Sequence, residues 1–335
     1  MNRIKSSIGI QRSLQAMRAL GIALVASLLP ALAFAQAWPS KPVKLIVGYP
    51  PGGGTNTVAR LLADHMSKSL GQQVVVENRP GAGGRIATLA VARSDPDGYT
   101  LMFASDAELT IAQVTVKAMP YDPLKDLQPI ALAGRGPYVL VTHAGFAPNT
   151  LAELIAHAKA NPNKVNFGSF GRGSQNHMID ERFKVAAGIS TVHVPYKGSG
   201  PVIADLAGGQ IHYTFATPGA TLPLAKGGKL KILAVAASQR LPRADNIPTM
   251  AEAGMPGFTG GSWYGLLAPA GTPMPIVERL HAEVVSAFNS PDIRAKLEDL
   301  SILPVHSTPA ELTQLIRSET DALRQLAAKI GLEPE

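Results

Sequence analysis

The stretch GYPPGGGTNT (residues 48–57) lies between an apolar run, VKLIV (43–47), and the segment VARLLADHMSKSLG (58–71). The apolar run predicts a β-strand. Apolar residues at every fourth position of the later segment predict a helix, which ends at a C-cap glycine, Gly71. A glycine-rich loop between a strand and a helix presents free backbone N–H groups and the positive end of the helix dipole. The stretch therefore predicts an α/β protein with an anion site.

The first 35 residues have the pattern of a secretory signal peptide. Four basic residues between positions 3 and 18 precede an apolar run at 19–35, which ends in the small residues Ala33 and Ala35. The alternative is a membrane anchor, which needs about 20 apolar residues and no helix breaker. Pro30 interrupts this run. We expect cleavage near residue 35 and an exported, soluble mature protein.

The composition excludes several classes of protein. There is no cysteine, which excludes disulfides, a thiolate nucleophile and thiolate metal sites. Lysine and arginine are scattered and aromatic residues make up 5% of the chain, so we expect no nucleic-acid partner. No motif for a metal or a cofactor is present, and we expect neither. The 46% of hydrophobic residues is enough for one large core or two smaller ones.

Strand and helix patterns alternate in two cycles. The first cycle consists of three strands joined by two helices, at 43–49, 58–70, 73–77, 83–94 and 99–105. The second consists of a strand, then helices and strands in alternation, at 138–143, 151–160, 164–169, 174–187, 191–196, 199–207, 211–216 and 231–237. In the first cycle, strand–helix–strand order with short loops predicts a parallel sheet with right-handed crossovers. We expect each of the two units to have its own sheet.

The end of the chain predicts a return to the first unit. A further strand is predicted at 263–269, and TPAE (308–311) predicts a capping box at the start of the last helix. The chain then crosses between units near 130–140 and 258–265. The predicted architecture is a two-lobed clamp with a ligand cleft and a hinge. Its domains are residues 36–137 with 261–335, and residues 138–260.

Three glycine-rich loops, at 49–57, 78–84 and 168–175, follow predicted strands. Ligands of open α/β sheets bind at such strand ends. The first loop lacks the lysine of a P-loop, and Ile86 stands where the dinucleotide fingerprint needs glycine. A singly charged carboxylate fits backbone and hydroxyl donors better than a polyphosphate does. These loops therefore predict a cleft for a carboxylate.

Motifs for catalysis are absent from the sequence. Neither H-E-x-x-H nor G-x-S-x-G occurs, and the histidines at 177, 193 and 281 fall on different predicted elements. We interpret these histidines as structural or surface residues. Asp106 and Glu108 follow a strand end, where acids serve as loop or cap residues more often than as an acid–base pair. We therefore predict that the protein is not an enzyme.

Nine segments in order along the chain resemble the Bug-type substrate-binding proteins of tripartite tricarboxylate transporters. They are YPPGGGTNTVAR, VENRPGAGG, DPDGYTLMF, YDPLKDLQPIAL, LIAHAKANPNKVNFGS, HVPYKGSGPVIADLAGGQI, GGKLKILAVAASQR, IPTMAEAGMPGF and APAGTP. The resemblance runs from Trp38 to about Gly331. It implies a periplasmic, non-catalytic receptor with the two-lobed fold of type II periplasmic binding proteins. Such a receptor binds small carboxylates through backbone amides, hydroxyls and ordered water, and delivers them to membrane permease components.

The resemblance also implies a set of ligand-binding residues in both lobes. In this sequence they are Gly53, Gly54, Thr55, Asn56, Ala82, Gly83, Ser105, Ser169, Ser174, Tyr196 and Thr217. Lys197 is interpreted as a solvated or hinge charge.

The sequence departs from the family pattern in the first lobe. Asn56 replaces the usual aspartate, Arg85 stands where asparagine is common, and Glu108 falls within a segment that is often Thr-His-x-x-Asn. We expect Asp106 and Glu108 to reach the cleft mouth. Arg85 then pairs with Glu108 or meets a second ligand carboxylate, or all three point into water. If they reach the cleft, the ligand has a polar or cationic group, or a longer or aromatic body, beyond its carboxylate.

The sequence therefore predicts a monomeric periplasmic receptor. It captures a small carboxylate, either a di- or tricarboxylate or an aromatic acid, for a tripartite tricarboxylate-type transporter. One alternative is a ligand-binding partner of a sensor system. The other is an exported hydrolase that uses Ser169 or Ser174, against which the sequence offers only the lack of a recognisable general base.

Overall fold

A computed structural model describes residues 38–52 and 54–334. The predicted signal peptide and its cleavage site lie outside the described residues. Residues from Lys41 onward form one compact unit. Within the described part of the chain, no helix is long and apolar enough to cross a membrane.

The first sheet has six strands in the order β11-β4-β10-β3-β1-β2. These strands are β1 Val43–Val47, β2 Val74–Asn78, β3 Thr100–Ser105, β4 Leu127–Pro137, β10 Gly261–Pro269 and β11 Leu303–His306. The strands β2, β1 and β3 are parallel, as predicted. The other three are antiparallel to their neighbours, so the sheet as a whole is mixed.

In the described part of the chain, six α-helices and a π-helical turn accompany the first sheet. They are α1 Gly54–Leu70, α2 Arg85–Ala92, α3 Ala112–Thr115, α8 Met274–Asn289, α9 Pro291–Asp299 and α10 Pro309–Ile330, with the π-helical turn Ala107–Ile111 before α3. The periodicity of α1 is confirmed, because Val58, Leu62 and Met66 are fully buried. Each such side chain contributes about 1.5–3 kcal/mol on burial.

The second sheet has five strands in the order β7-β6-β8-β5-β9. The strands are β5 Val139–His143, β6 Asn166–Ser169, β7 Val192–Pro195, β8 Tyr213–Ala216 and β9 Leu230–Val235. Its helices are α4 Leu151–Ala160, α5 Gln175–Ala187, α6 Ser199–Ala207 and α7 Pro218–Lys226. The strands β7, β6 and β8 are parallel, and β5 is antiparallel to both β8 and β9. An aromatic core that includes Phe167, Phe183 and Phe215 lies against this sheet.

The chain passes twice between the two sheets, and the two passages lie side by side. The strand β4 ends at Pro137 and β5 begins at Val139, while the return passage ends at Gly261, the first residue of β10. Tyr138 N–H donates to the Gly260 carbonyl at 3.0 Å, which joins the two passages. The return of the chain to the first sheet is therefore confirmed. The predicted domain boundaries stay a prediction.

The last helix, α10, contacts elements that belong to both sheets. It packs against β4 and the π-helical turn, and also against α5. A hydrophobic cluster joins Ile111 and Val114 to Met178 of α5 and to Leu323 and Leu326 of α10. The predicted capping box at its start is present, with Thr308 and Glu311 bonded reciprocally.

Candidate functional site

The carboxyl ends of the two sheets face each other, with the glycine-rich loops at these ends. Asp106 directly follows β3, and Gln175 is the first residue of α5, which follows β6. The Gln175 side-chain amide donates a hydrogen bond to the Asp106 carboxylate across the two bodies. Nearby, a Cβ atom built on Gly173 would lie 3.0 Å from Thr115. Helix amino-terminal ends therefore meet in one crevice, where an anion gains from both the dipoles and the free N–H groups.

The first glycine loop has free donors at the start of α1. Gly53 lies outside the described residues; Gly54 begins the helix and is exposed. The Thr55 hydroxyl and the Asn56 amide nitrogen have no hydrogen-bond partner among residues 38–52 and 54–334. The Asn56 oxygen accepts from the Asn78 amide at 2.9 Å, which fixes the side chain against the end of β2. The Asn56 amide nitrogen is therefore held beside the first glycine loop.

The second glycine loop has an unusual backbone. Ala82, Gly83 and Gly84 all have positive φ, at 48°, 62° and 90°. Ala82 adopts there a conformation that L-residues rarely populate. A Cβ atom on Gly48 would lie 2.5 Å from the Gly84 Cα, so the first two glycine loops are in direct contact. The structure thus brings together the predicted residues of the two first-lobe loops.

Ser105, at the end of β3, belongs to a buried cluster around Glu108. Glu108 is fully buried, and its oxygens accept from the Ser105 backbone N–H at 3.0 Å and from the Ser105 hydroxyl at 2.6 Å. The Tyr49 hydroxyl donates to the same carboxylate at 2.6 Å. Burial raises the pKa of Glu108, while these hydrogen bonds oppose the rise.

The expectation that Asp106 and Glu108 reach the cleft mouth is therefore wrong, and so is the alternative that they point into water. Asp106 is 1% exposed and Glu108 is 0% exposed. Burial, together with the nearby charges of Glu319 and Glu108, raises the pKa of Asp106 well above its usual range. The π-helical turn that follows β3 folds both carboxylates inward, a local feature with no sequence signature.

Arg85 does not pair with Glu108. Its guanidinium lies 3.8 Å from a Cβ atom built on Gly83, and it forms no ion pair with any residue that the structure describes. Arg85 lines a cavity of about 220 Å³ with Thr115, Arg172 and Gly173. Residues of both bodies therefore surround Arg85, and the cavity is lined by two arginines and by Glu333.

In the second lobe, three of the predicted hydroxyl groups already have protein partners. The Ser169 hydroxyl lies 2.5 Å from His193 Nε2, and the Ser174 hydroxyl donates to the Gly171 carbonyl at 2.6 Å. The Tyr196 hydroxyl donates to Asp205 at 2.7 Å. Thr217 differs, because it is exposed at the start of α7 and its hydroxyl has no partner in the described part of the chain. The structure thus gathers Ser169, Ser174 and Tyr196 around one loop, with Thr217 at the adjacent strand end.

The contact between Ser169 and His193 bears on the hydrolase alternative. It supplies the neighbouring base that the sequence did not reveal. Ser169 is fully buried, however, and His193 stacks on His177 with ring centroids 4.0 Å apart. Burial and the charge of His177 lower the pKa of His193 to about 4. A buried hydroxyl beside such a weak base is poorly suited to attack a substrate.

Gln175 and Tyr264 are two residues that the sequence interpretation missed. Gln175 Oε1 accepts from Tyr138 at 3.1 Å and from Ser262 at 2.6 Å, so this side chain links both passages between the sheets. The Tyr264 hydroxyl lies 2.9 Å from a Cβ atom built on Gly54, and it has no hydrogen bond to any described residue. Burial raises the pKa of Tyr264 far above its usual range, so the hydroxyl keeps its proton and can donate.

A cavity of about 580 Å³ lies beside the passages between the sheets. Its lining includes Asp106, Arg135, Arg182, Trp263 and Glu319, and none of the predicted ligand-binding residues in the described ranges. Glu319 accepts from Trp263 Nε1 at 2.6 Å. Across residues 38–52 and 54–334, no group of His, Asp and Glu side chains has the arrangement of a metal site.

Two α/β bodies with glycine loops at facing sheet edges define a two-lobed binding protein of the periplasmic type. The model of the tripartite tricarboxylate transporter family receptor matches residues 58–332. Protein BugT of Bordetella pertussis is 37% identical over 316 residues, which cover 93% of this chain and 97% of BugT. The chain belongs to this receptor family, and the resemblance found in the sequence is confirmed.

Two solved structures of relatives contain a carboxylate. Rpa4515 of R. palustris with adipate is 34% identical, with a TM-score of 0.76, and the match covers 89% of this chain and 100% of that chain. MatC (Rpa3494) from Rhodopseudomonas palustris with bound malate is 34% identical, with a TM-score of 0.70, over 86% of this chain and 99% of that chain.

Proposed function

We propose that this protein is a periplasmic receptor that captures a small carboxylate and delivers it to the membrane permease of a tripartite transporter. The relatives with adipate and with malate support a carboxylate ligand. The pattern of residues 1–35 supports export by a signal peptide. The proposed receptor acts as a monomer and has no catalytic step.

The observation that carries the proposal is the set of free donors at the facing sheet edges. Thr55 and Asn56 at the start of α1 and Thr217 at the start of α7 have donors without partners among the described residues. Tyr264 adds a free hydroxyl beside Gly54. Two helix starts and four side-chain donors suit a carboxylate, because each charge-assisted hydrogen bond contributes about 1.5–3 kcal/mol.

Calorimetry on the mature protein tests the proposal, with di- and tricarboxylates and aromatic acids as ligands. We expect at least one to bind with micromolar affinity or better, about −8 kcal/mol. X-ray scattering at saturating ligand should then show a smaller radius of gyration, because a ligand between two lobes favours the closed state. If no carboxylate in the panel binds, or if binding leaves the radius of gyration unchanged, the proposal is wrong.

The same samples test the hydrolase alternative. Mass spectrometry of the ligand after long incubation should recover it unchanged, with the Ser169→Ala variant as the comparison. If the parent protein converts a ligand and Ser169→Ala does not, the protein is an enzyme and the receptor proposal is wrong.

A further inference from the structure

The hydrogen bonds around Glu108 decide whether one wall of the proposed carboxylate site offers a ligand hydrogen-bond donors or acceptors. Glu108 Oε2 lies 2.6 Å from the Ser105 hydroxyl and 2.6 Å from the Tyr49 hydroxyl. Glu108 Oε1 accepts from the Ser105 backbone N–H at 3.0 Å. An ionised carboxylate only accepts hydrogen bonds, so both hydroxyl groups must donate to it.

Each hydroxyl group has only one proton, and both protons are therefore directed at Glu108. The two hydroxyl oxygens lie 3.2 Å apart, with no proton left to share between them. What Ser105 and Tyr49 can still offer a ligand is lone pairs. These two hydroxyl groups thus act as acceptors, backed by a buried negative charge.

The position of this acceptor pair relates it to the ligand. Ser105 ends β3, at the carboxyl edge of the parallel strands, and Tyr49 follows β1 at the same edge. Tyr49 is only partly buried, and its hydroxyl lies 3.5 Å from the Gly83 carbonyl oxygen on the second glycine loop. A ligand carboxylate held by Thr55 and the start of α1 therefore meets acceptors at Ser105 and Tyr49, while the Tyr264 hydroxyl beside Gly54 is a donor.

We propose that the receptor selects carboxylates that also carry a hydrogen-bond donor, a hydroxyl or an ammonium group, which donates to Ser105 and Tyr49. This inference rests on the proposed function, since it needs a carboxylate in the cleft. A ligand without such a group would leave the acceptors unpaired on closure, or would turn a second carboxylate oxygen towards them. Both arrangements are unfavourable when water is excluded. Glu108 is then a positioning residue that sets the hydroxyl protons without touching the ligand.

Matched ligands isolate this selectivity. Succinate, malate and aspartate share a four-carbon dicarboxylate skeleton and differ in a hydrogen, a hydroxyl or an ammonium group at one carbon. Glutarate, 2-hydroxyglutarate and glutamate form a second set, and propionate, lactate and alanine a third. Calorimetry is done at pH 8 to favour the ionised form of Glu108, because burial raises the pKa of this carboxyl. We expect a donor-bearing member of a set to bind about tenfold or more tightly than its plain analogue.

Glu108→Gln should change the Ser105 and Tyr49 hydroxyl groups from hydrogen-bond acceptors to donors towards the ligand. With the glutamine oxygen on the Ser105 backbone N–H, the amide nitrogen takes the place of Oε2 and donates to both hydroxyl groups. Their protons are then free to point towards the ligand. We expect the preference for donor-bearing ligands to fall about tenfold, because the plain dicarboxylate gains affinity.

Two further variants make the test independent of how well Glu108→Gln folds. Ser105→Ala removes an acceptor, and should weaken donor-bearing ligands about tenfold while the plain analogue keeps its affinity. Glu278→Gln, an exposed position on α8, is the matched charge control and should leave every affinity unchanged.

The outcomes separate this inference from the proposed function. If the parent protein binds none of the nine acids and none of the other carboxylates, the proposed function and the inferred selectivity are both wrong. If it binds plain and donor-bearing analogues equally, the receptor stands and the selectivity is wrong. An unchanged preference in Ser105→Ala, or in folded Glu108→Gln, also overturns the inference.

Discussion

The side-chain amide of Gln175 donates a hydrogen bond to the carboxylate of Asp106, and this bond joins the two α/β bodies at their facing edges. The same Gln175 accepts from Tyr138 and Ser262, which lie on the two passages of the chain between the sheets. Asp106 also accepts from the Trp263 backbone N–H at 3.4 Å. One neutral side chain therefore holds a buried acid against the two passages of the chain between the sheets.

Gln175→Glu should destabilise the protein in a pH-dependent way. The new carboxylate would face Asp106, and two buried like charges disfavour ionisation of both. Burial already raises the pKa of Asp106, so the pair keeps at least one proton at low pH and loses it as the pH rises. We expect the melting temperature to fall more at pH 8 than at pH 5.

Gln175→Met is the control for this experiment. It removes the same hydrogen bonds without a charge, and leaves buried groups unpaired at a cost of about 1–3 kcal/mol. Its loss of stability should be similar at the two pH values. An equal loss for Gln175→Glu at pH 5 and pH 8 would show that Asp106 does not face this side chain.

Asp180, in α5, should make the parent protein less stable as the pH rises. It is fully buried and accepts from the Tyr213 hydroxyl at 2.6 Å, and burial raises its pKa to about 8. In the unfolded chain an aspartate titrates near pH 3.9, so the folded state holds an extra proton between about pH 4 and pH 8. Stability from this group is complete below pH 4 and is lost as the pH rises through 8.

Asp180→Asn removes this titration. Relative to the parent, we expect the variant to be more stable at pH 8 than at pH 5, as measured by chemical denaturation at both values. Asp64→Asn, on the exposed face of α1, provides the comparison and should shift stability equally at both. A constant difference between parent and Asp180→Asn would contradict the buried, protonated carboxyl.

Features set by neighbouring residues were predictable from the sequence. The capping box that TPAE (308–311) predicts is present, with Thr308 and Glu311 each bonded to the backbone of the other. The three glycine loops lie at strand ends as expected, because a strand, a turn and a helix each have a local pattern.

Features set by distant segments were not predictable. The strand β4 contains Pro129 and Gly134, and α7 contains Pro223, so both were missed. Proline and glycine have a low intrinsic preference for strands and helices, so the local sequence does not predict these two elements. Pairing with β10 and burial stabilise them in the folded protein. Nothing near Glu108 in the sequence signals the π-helical turn that buries it, so its position could not be predicted. Tyr264 reaches Gly54 only because the chain returns after residue 260.

Thr55→Val should weaken carboxylate binding without changing the stability of the free protein. The substitution keeps the side-chain shape at the start of α1 and removes a hydroxyl that has no partner among the described residues. Loss of one hydrogen bond to a charged group costs about 1.5–3 kcal/mol, which is tenfold or more in affinity. Calorimetry measures this change. Thr313→Val, whose parent hydroxyl donates to the Pro309 carbonyl on α10, should bind as the parent does. Equal affinity in Thr55→Val and parent would remove Thr55 from the site.

Gly261→Ala should disrupt the place where the two passages between the sheets meet. Gly261 has φ of 147°, and a Cβ atom there would lie 2.3 Å from the Gly136 carbonyl oxygen and 2.5 Å from the Pro137 Cα. Both neighbours are backbone atoms, so they cannot rotate away as a side chain would. Backbone strain and overpacking each cost about 1–3 kcal/mol, and we expect a total loss of roughly 2–5 kcal/mol in the free energy of unfolding.

Gly257→Ala separates the two contributions in this experiment. Gly257 also has positive φ, at 75°, but no atom lies within 4 Å of its added Cβ. It should therefore show the backbone strain alone, about 1 kcal/mol. The difference between the two variants, from urea denaturation, measures the clash between the passages. If Gly261→Ala costs no more than Gly257→Ala, the two passages are not packed against each other at Gly136.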